Sequence, residues 1–310
     1  MKYSDLILNS IGKTPMIKLD SSKCNIFAKC EFLNPTGSHK DRLYYYGIKK
    51  FEKSRRIKKG MTLVDFSSGN AGASLSLMAS IFGYKSIIVR PSGFCIGKAI
   101  QIVNYGGHIV EVSAHEGVKA LRQKALEITE QLGENGFMMH QTDREFNVEA
   151  FESLGDEIIS YFLNSELIID AFVCPIGTGG TFSAVSRKIR SVFPDVKVIA
   201  VDIKEAPALY NKFYNKNDEI NLHNVEGMSV GEVFKNTDIT LIDEVQTCPT
   251  RDAWENCKFL ALKEHCLVGP SSGAGFYVSK QTERRLPEKS NILTIFWDQG
   301  WKYFSNYKEV

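Results

Sequence analysis

The sequence predicts an α/β protein with two mostly parallel β-sheets, each flanked by helices. Three observations lead to this fold class: wholly apolar strand segments, longer helical segments between them, and a chain of 310 residues, which is long enough for two lobes around one cleft. Wholly apolar strands are typical of parallel sheets that are covered on both faces. No linker is visible in the sequence, so the division into two lobes rests on the length and on two separate series of strands and helices.

The two series follow each other along the chain. The first contains "TLVDF" (62–66), the small-residue helix "NAGASLSLMASIFG" (70–83), "SIIVRP" (86–91), "HIVEV" (108–112), the helix "GVKALRQKALEITEQLG" (117–133) and "FMMHQ" (137–141). The second contains "AFVCPI" (171–176), the helix "FSAVSRKIRSVF" (182–193), "VKVIAVDI" (196–203) and "ILTIFWD" (292–298). Ligands of open α/β sheets bind beyond the carboxyl ends of the strands, so the strand-to-helix turns are candidate binding sites.

Composition and charge exclude several classes of protein. Lys and Arg number 38 against 36 Asp and Glu, a net charge of +2, which gives no reason to expect a nucleic acid or an acidic membrane surface as a partner. No apolar run approaches membrane-spanning length, and the amino terminus lacks a signal-peptide pattern. Seven cysteines without a Cys-x-x-Cys pair predict reduced thiols in a cytoplasmic protein, and the histidines do not fall at metal-ligand spacing with them.

The clearest candidate site is "GTGGT", which directly follows a predicted strand and precedes a helix. It comprises Gly177, Thr178, Gly179, Gly180 and Thr181. Glycines allow backbone N–H groups to converge, and the start of the helix adds a positive field, so this loop should hold an anion such as phosphate. The loop is neither a Walker A motif nor the dinucleotide fingerprint, because Phe182 occupies the position of the third glycine. A tight turn without a ligand is the alternative.

Two further turns carry hydroxyl groups at the start of a helix. They are "SSGNAG" (67–72) after the first predicted strand and "GPSSGAG" (269–275). Hydroxyls and turn amides before a helix can hold a carboxylate or a phosphate. The alternative is simple helix capping, for example by Ser67 or Ser68.

A lysine stands where its charge is unfavourable. In "NPTGSHKDR" (34–42), a Pro-Thr-Gly turn and Ser38, a predicted N-cap, place Lys40 in the first helical turn, at the positive end of the helix dipole. Near an anion site and away from bulk water, the pKa of such a lysine would fall, and a neutral amine attacks aldehydes to form a Schiff base. The aldehyde that also carries a phosphate is pyridoxal 5′-phosphate. A surface charge is the alternative for any one lysine, but the convergence of these turns favours the cofactor.

With these motifs the chain resembles the cysteine synthase (O-acetylserine sulfhydrylase) and cystathionine β-synthase family, whose members are fold-type II pyridoxal-phosphate enzymes of the tryptophan-synthase-β type. The resemblance covers nearly the whole chain. It rests on six ordered motifs: "IGKTPMIKL" (11–19), "NPTGSHKDR" (34–42), "SSGNAG" (67–72), "GTGGT" (177–181), "GPSSGAG" (269–275) and "WDQGWKY" (297–303).

The resemblance implies roles for residues in four of the six motifs and for Gln141. Lys40 would be the Schiff-base lysine and general base, Asn70 would bind the phenolic oxygen of the cofactor, and 177–181 would bind its phosphate. Ser271 would face the ring nitrogen, and a hydroxyl there makes the ring a weaker electron sink, which favours β-elimination. The substrate would lie on the loop formed by Ser67, Ser68, Gly69, Asn70 and Ala71, with Gln141 assisting.

Two departures from the family pattern concern the substrate. Ala71 stands where cysteine synthases usually have threonine, so one hydroxyl contact is missing. In "VEGMSVGEVF" (225–234), the family's glycine-rich run keeps Gly227 and Gly231, but Ser229 replaces the middle glycine and Glu232 replaces an aromatic residue. At the cleft, Glu232 would act as a base toward water or an amine, or bind a cationic second substrate. The alternative is a solvated loop carboxylate.

The resemblance implies a two-lobed enzyme with the cofactor in the cleft. The smaller lobe would comprise residues 1–12 and 35–146, and the larger lobe 13–34 and 147–310. The expected reaction is β-replacement or β-elimination on a serine- or cysteine-derived amino acid through an aminoacrylate, with cysteine synthesis from O-acetylserine and sulfide as the leading assignment. One alternative is a cysteine-consuming enzyme that releases hydrogen sulfide and adds water, a thiol or an amine. Another is a catalytically silent regulatory binding protein. The family resemblance also implies a homodimer.

Overall fold

The structure is a computed structural model, and it describes residues 2–93, 95–228 and 231–305. Its strands are β1 (Met16–Leu19), β2 (Asn25–Cys30), β3 (Thr62–Phe66), β4 (Lys85–Pro91), β5 (His108–Val112), β6 (Gly136–Met138), β7 (Ala171–Pro175), β8 (Lys197–Ile203), β9 (Glu244–Cys248) and β10 (Asn291–Phe296). Its α-helices are α1 (Tyr3–Asn9), α2 (Lys40–Lys53), α3 (Asn70–Phe82), α4 (Ile96–Asn104), α5 (Gly117–Leu132), α6 (Phe146–Glu149), α7 (Glu152–Asn164), α8 (Gly180–Val192), α9 (Ala208–Tyr214), α10 (Thr250–Lys263) and α11 (Pro270–Glu283).

The strands form two sheets. One sheet has six strands in the order β1-β2-β10-β7-β8-β9, in which β1 pairs antiparallel with β2 and the other neighbours are parallel. The other sheet has four parallel strands in the order β5-β4-β3-β6. The predicted fold class, mostly parallel sheets flanked by helices, is confirmed.

Burial explains why these segments form parallel sheets. Every residue of β3, β7 and β10 is buried, as expected for strands that are covered by helices on both faces. The largest hydrophobic cluster joins the two sheets, since it contains Phe27 of β2, Leu63 of β3 and Phe172 of β7. One hydrophobic cluster therefore spans both sheets.

Two local predictions are wrong. The strand predicted to run from 137 to 141 ends at Met138, because the backbone of His140 turns into the left-handed region with φ of +59°. The N-cap of α2 is His39 rather than Ser38, and the Ser38 hydroxyl is buried with no hydrogen-bond partner among the described residues. The helix thus begins without the side-chain cap that the sequence predicts.

All seven cysteines are free and buried. In the described ranges no helix is both long enough and apolar enough to cross a membrane, and no group of three or more potential metal ligands is present.

Candidate active site

A cavity of about 350 Å³ lies at the carboxyl ends of β3 and β7 and at the starts of α2, α3 and α11. The structure brings most of the predicted site residues together here. The lining includes Lys40, Ser67, Ser68, Asn70, Ala71, Gln141, Gly177, Thr178, Gly179, Thr181 and Ser271. Gly69 and Gly180 belong to the same two loops but do not line the cavity. The individual roles of these residues remain predictions.

Lys40 faces this cavity from the first residue of α2. Burial lowers the pKa of its amine to about 8, although the negative charge of Asp65 acts in the opposite direction. The amine is therefore neutral in a substantial fraction of molecules near pH 8, which is the state in which lysine is a nucleophile and a base.

Asp65, in β3, is a buried acid that is not among the site residues predicted from the sequence. Its carboxylate accepts hydrogen bonds from the Tyr44 hydroxyl at 2.9 Å and from the backbone N–H groups of Phe66 at 2.9 Å and Gln141 at 3.3 Å. Burial raises the pKa of Asp65 to about 7, and these hydrogen bonds oppose the rise. Asp65 therefore places a titratable negative charge behind Lys40.

The glycine-rich loop between β7 and α8 accepts only glycine at three positions. A Cβ atom on Gly177, Gly179 or Gly180 would come within 3.0 Å of another atom, and Gly179 also has a φ of +82°. The atoms in question belong to Gly227, Thr237 and Asn147 respectively. The first residue of α8 is Gly180, so the helix start and its N–H groups point toward the loop.

Buried polar atoms around this loop lack partners. The Thr237 hydroxyl, the Asn147 Oδ1 and the Gln141 Oε1 have no hydrogen-bond partner within the part of the chain that the structure describes. Asn147 Nδ2 donates to the Thr178 hydroxyl at 3.1 Å. Because unpaired buried polar groups are costly, this arrangement fits a polar ligand at the loop. The Thr237 hydroxyl can donate to an anion, whereas the two amide oxygens can only accept a hydrogen bond from a ligand.

Both polar atoms of the Asn70 side-chain amide make hydrogen bonds. Its Nδ2 donates to Asp298 Oδ2 at 2.6 Å, and its Oδ1 accepts from Lys302 Nζ at 2.9 Å. The Tyr303 hydroxyl donates to the same Asp298 oxygen at 2.5 Å. An amide nitrogen has two protons, so one N–H of Asn70 is left to donate to a ligand oxygen.

Lys302 is itself fully buried, which is unusual for a lysine. Burial lowers the pKa of Lys302 to about 8, while the charges of Asp298 and Asp41 act in the opposite direction. This second buried amine lies behind Asn70 and is not among the described residues that line the cavity.

The loop that is predicted to hold the substrate rests on a buried ion pair. Gly69 has a φ of +155°, and a Cβ there would collide with the methylene groups of Lys98. Lys98 Nζ lies 2.6 Å from Glu226 Oε2, and both side chains are buried. Glu226 lines the cavity and also accepts a hydrogen bond from the backbone N–H of Cys95 at 3.1 Å. The ion pair thus joins α4 to the segment around Glu226, directly behind the substrate loop.

Glu232 is placed differently from the other predicted residues. Its carboxylate pairs with Arg122 Nη2 of α5 at 3.1 Å, and Arg122 Nε lies 3.7 Å from Asp143 Oδ2. Glu232 is not among the described residues that line the larger cavity; it borders a small neighbouring pocket. Its role as a base therefore remains a prediction, and Ser229 lies outside the described residues.

His39 also lines the cavity and is not among the site residues predicted from the sequence. Its ring packs against Trp297 with centroids 4.9 Å apart and against Phe151 with centroids 5.5 Å apart. Burial lowers the pKa of His39 well below its usual range, and the adjacent Lys40 charge acts in the same direction, so the ring is neutral. Its position directly before Lys40 in the sequence could have identified His39 as a site residue.

The chain belongs to the pyridoxal-phosphate dependent enzyme family, whose model matches residues 7–298. Cysteine synthase B of Campylobacter jejuni is 33% identical over 305 residues, covering 98% of each chain. Cysteine synthase of Staphylococcus aureus is 29% identical over 309 residues, covering 98% of this chain and 96% of that protein. The resemblance that the motifs predicted is confirmed.

Solved structures of related enzymes have the same fold. O-ureido-L-serine synthase superposes with a TM-score of 0.90 at 29% identity, covering 96% of this chain and 93% of that one. A hydrogen sulfide-producing enzyme from Fusobacterium nucleatum gives a TM-score of 0.89 at 29% identity, covering 96% and 98%. An O-acetylserine dependent cystathionine beta-synthase from Helicobacter pylori gives 0.89 at 30% identity, covering 96% of each chain.

The cavity fits the cofactor of this family. Pyridoxal phosphate needs an anion site for its phosphate, an amine for its aldehyde and a donor for its phenolic oxygen. The glycine-rich loop with the N–H groups at the start of α8, the amine of Lys40 and the free N–H of Asn70 meet these three needs within one cavity. Ser271, at the start of α11, supplies a hydroxyl to the same cavity.

Proposed function

We propose that the protein catalyses β-replacement on O-acetylserine, with sulfide as the nucleophile and cysteine and acetate as products. One observation carries this proposal: Lys40, with a pKa lowered to about 8, shares a cavity with the glycine-rich loop and with the hydroxyl-lined substrate loop. An amine in this pKa range suits proton removal from an α-carbon near neutral pH. Relatives named cysteine synthase support the assignment.

Each group of residues in the cavity has its own role in this reaction. Pyridoxal phosphate, when bound, supplies an aldehyde and an electron-withdrawing ring that stabilises negative charge at the α-carbon. Ser67, Ser68 and the turn amides after them hold the substrate carboxylate, and Asn70 and Ser271 orient the cofactor ring. Neutral Lys40 takes the α-proton, after which acetate leaves from the β-carbon and sulfide takes its place.

The test of this proposal is made on the holoenzyme. Borohydride reduction followed by peptide mapping should find the pyridoxyl group on Lys40, and cysteine should form from O-acetylserine and sulfide. K40A should lose both, while K258A, on α10 and outside the cavity, should keep both. A label on another lysine would overturn the assignment of Lys40, and bound cofactor without turnover would favour the alternative of a silent regulatory protein.

A second candidate function is the release of hydrogen sulfide from cysteine. Two related solved structures are named as hydrogen sulfide-producing enzymes, at 29% and 31% identity. Ala71 and Glu232 distinguish this chain from the usual cysteine synthase pattern and motivate the same proposal. Sulfide release from cysteine should then fall sharply in E232Q. Equal rates in E232Q and the parent protein would remove Glu232 from the mechanism.

We also propose the lobe boundaries and the dimer that the resemblance implies. Lobes formed by 1–12 with 35–146, and by 13–34 with 147–310, agree with β1 and β2 pairing in the six-stranded sheet. Hydrogen exchange with and without substrate tests these boundaries. If the smaller lobe moves as one unit, substrate should change the exchange protection of its backbone amides together. Light scattering of the purified protein tests the homodimer.

A further inference from the structure

Two arginines converge on a pair of phenylalanine rings at the edge of the four-stranded sheet. The rings belong to Phe51 of α2 and Phe137 of the edge strand β6, and their centroids are 5.0 Å apart. Arg56 Cζ lies 5.3 Å and 5.4 Å from the two centroids, and Arg144 Cζ lies 5.4 Å and 4.7 Å from them. We call the two guanidinium groups the arginine pair. Neither belongs to the described residues that line the active-site cavity.

The end of α2 fixes the position of Arg56. Arg55 adopts the left-handed conformation with a φ of +56°, and its N–H donates to Glu52 O at 2.9 Å. The N–H of Arg56 donates to Phe51 O, also at 2.9 Å. These two hydrogen bonds form a Schellman motif, which turns the chain back against the last turn of the helix. The backbone therefore places Arg56 beside Phe51.

A tight turn fixes the position of Arg144. His140 has a φ of +59°, and its carbonyl oxygen accepts hydrogen bonds from the N–H groups of Asp143 and Arg144, both at 3.2 Å. Arg144 Nη1 is buried and has no hydrogen-bond partner among the described residues. A buried donor on a charged group is costly without an acceptor, so Nη1 points to an acceptor that does not belong to the described chain.

The arginine pair also lacks a counter-charge. Neither arginine forms an ion pair within the described ranges, and Asp143 instead lies 3.7 Å from Arg122. Burial lowers the pKa of Arg144, and the charge of Arg56 adds to this effect, while the charge of Asp65 acts in the opposite direction. The ring faces attract cations but carry no net charge. Residues 53–60 add further lysines and arginines and no acid, so the positive charge here is concentrated.

We propose that the arginine pair binds a phosphate group, either inorganic phosphate or a phosphate monoester. Each guanidinium can donate two parallel hydrogen bonds to phosphate oxygens, and two guanidinium groups match the charge of a dianion. A carboxylate would leave one of the two positive charges without a counter-charge. The rings and the two turns hold both arginines in place before binding, which lowers the entropy that binding costs. This inference does not depend on the proposed reaction.

The test is calorimetric titration of the holoenzyme, because bound pyridoxal phosphate fills the other proposed phosphate site. Inorganic phosphate is the probe in one arm and glycerol phosphate in the other, in a phosphate-free buffer of low ionic strength. We expect saturable binding of one phosphate group per chain. Tighter binding of the ester would identify a monoester as the ligand, and tighter binding of inorganic phosphate would identify the free ion; both results support the site.

Variants of the arginine pair distinguish a specific site from general attraction. Arg56 is exposed, so R56Q should fold normally, and its dissociation constant for phosphate should rise about tenfold or more. R144Q should weaken binding in the same way, and R56K, which keeps the charge but lacks the planar fork, should be intermediate. R55Q is the matched control, because it removes the same charge from the neighbouring exposed residue and should change the constant less than about twofold.

Hydrogen exchange gives a second readout. Bound phosphate should slow amide exchange in the turn 140–144 of the parent protein but not of R144Q. Absence of binding to the parent holoenzyme would overturn the proposal, as would unchanged binding in both R56Q and R144Q. An equal loss in R55Q and R56Q, or binding of a DNA duplex without binding of phosphate, would also overturn it and would indicate a diffuse positive field of residues 53–60 instead.

Discussion

At the scale of single residues, burial determines the chemistry of the site. Lys40 and Lys302 are both amines whose pKa is lowered to about 8 by burial, but only Lys40 lines the cavity. The helix dipole at the start of α2 adds to the cost of a charge on Lys40. Asp65 offsets part of that cost. The pKa of Lys40 is therefore set mainly by burial, and the charge of Asp65 partly opposes that effect.

Replacing Asp65 should change the titration of Lys40. In D65N the negative charge behind the amine is gone, so the ammonium form is less stable and the pKa of Lys40 should fall below that in the parent protein. The measurement is the pH dependence of reductive methylation of Lys40 in the cofactor-free protein, read by peptide mass mapping. D195N, a change of an exposed acid, is the control and should leave the profile unchanged. A profile that moves to higher pH in D65N would contradict this account.

Lys302 should act on the cofactor through Asn70. Its ammonium donates to Asn70 Oδ1 and so keeps the amide N–H groups turned toward Asp298 and the ligand. Loss of one charged hydrogen bond in K302M should raise the dissociation constant of pyridoxal phosphate by about tenfold or more. Equilibrium binding to the cofactor-free protein measures this constant. K188M removes an exposed ion pair on α8 and should bind the cofactor as the parent does. Equal affinity in K302M would show that Asp298 alone orients the amide.

At the scale of elements, the site is built from turns that join a strand end to a helix start. The loop between β3 and α3 and the loop between β7 and α8 belong to different sheets, yet both line the cavity. Each turn contains a glycine with positive φ at the residue before the helix, Gly69 and Gly179. The tight packing beneath these glycines, rather than their flexibility, fixes the position of the loops.

Two glycines with nearly the same φ angle allow the effect of a packing collision to be distinguished from the effect of backbone strain. Gly179 has a φ of +82° with Thr237 pressed against its Cβ position, whereas Gly83, at the end of α3, has a φ of +81° with open space there. Both alanine variants should lose about 1 kcal/mol of stability from backbone strain. G179A should lose more than G83A, because its Cβ would also collide with Thr237. Only G179A should also lose most of its affinity for pyridoxal phosphate. Urea unfolding and cofactor titration measure the two effects, and normal cofactor affinity in G179A would contradict the proposed phosphate loop.

At the scale of the whole molecule, buried charges join distant parts of the chain. Arg42 of α2 binds Glu31 and Glu157, each at 2.8 Å, and Lys29 of β2 also binds Glu157 at 2.8 Å. Burial alone would raise the pKa of Glu157, but hydrogen bonds and charge from Arg42 and Lys29 outweigh it and lower the pKa to about 2. This cluster ties α2, which carries Lys40, to β2 and α7.

Acid should therefore destabilise the fold through this cluster. A carboxyl group whose pKa is lowered by folding stabilises the folded state above its unfolded value of 4.5, and that contribution is lost as the pH falls toward 2. In E157Q the free energy of unfolding should be lower near pH 6 and should fall less steeply between pH 5 and 3. Urea unfolding across this range is the measurement, with E130Q on the exposed face of α5 as the control. Equal slopes in the parent and E157Q would contradict the prediction.

Sequence alone predicted the strands and helices of the two named series well, and it predicted the supporting contacts poorly, for a physical reason. Wholly apolar runs and flanking turns are local, so β3, α3 and α5 were predicted within a residue of their observed bounds. Lys302 and Asn70 are 232 positions apart, and Lys98 and Glu226 are 128 apart. A local sequence pattern carries no information about contacts between residues that are so far apart in the chain. The missing cap at Ser38 has the same origin, because tertiary packing of His39 against Trp297 and Phe151 determines how α2 begins.

The burial of all seven cysteines has a practical consequence. Burial raises the pKa of Cys30 to about 12 and that of Cys174 well above its ordinary value, so their reactive thiolate forms are scarce in the folded state. A dissolved alkylating reagent should therefore modify these positions only when their own segment opens. Because Cys30 lies on β2 and Cys174 on β7, the rates of labelling would report separately how often each of these strands becomes exposed.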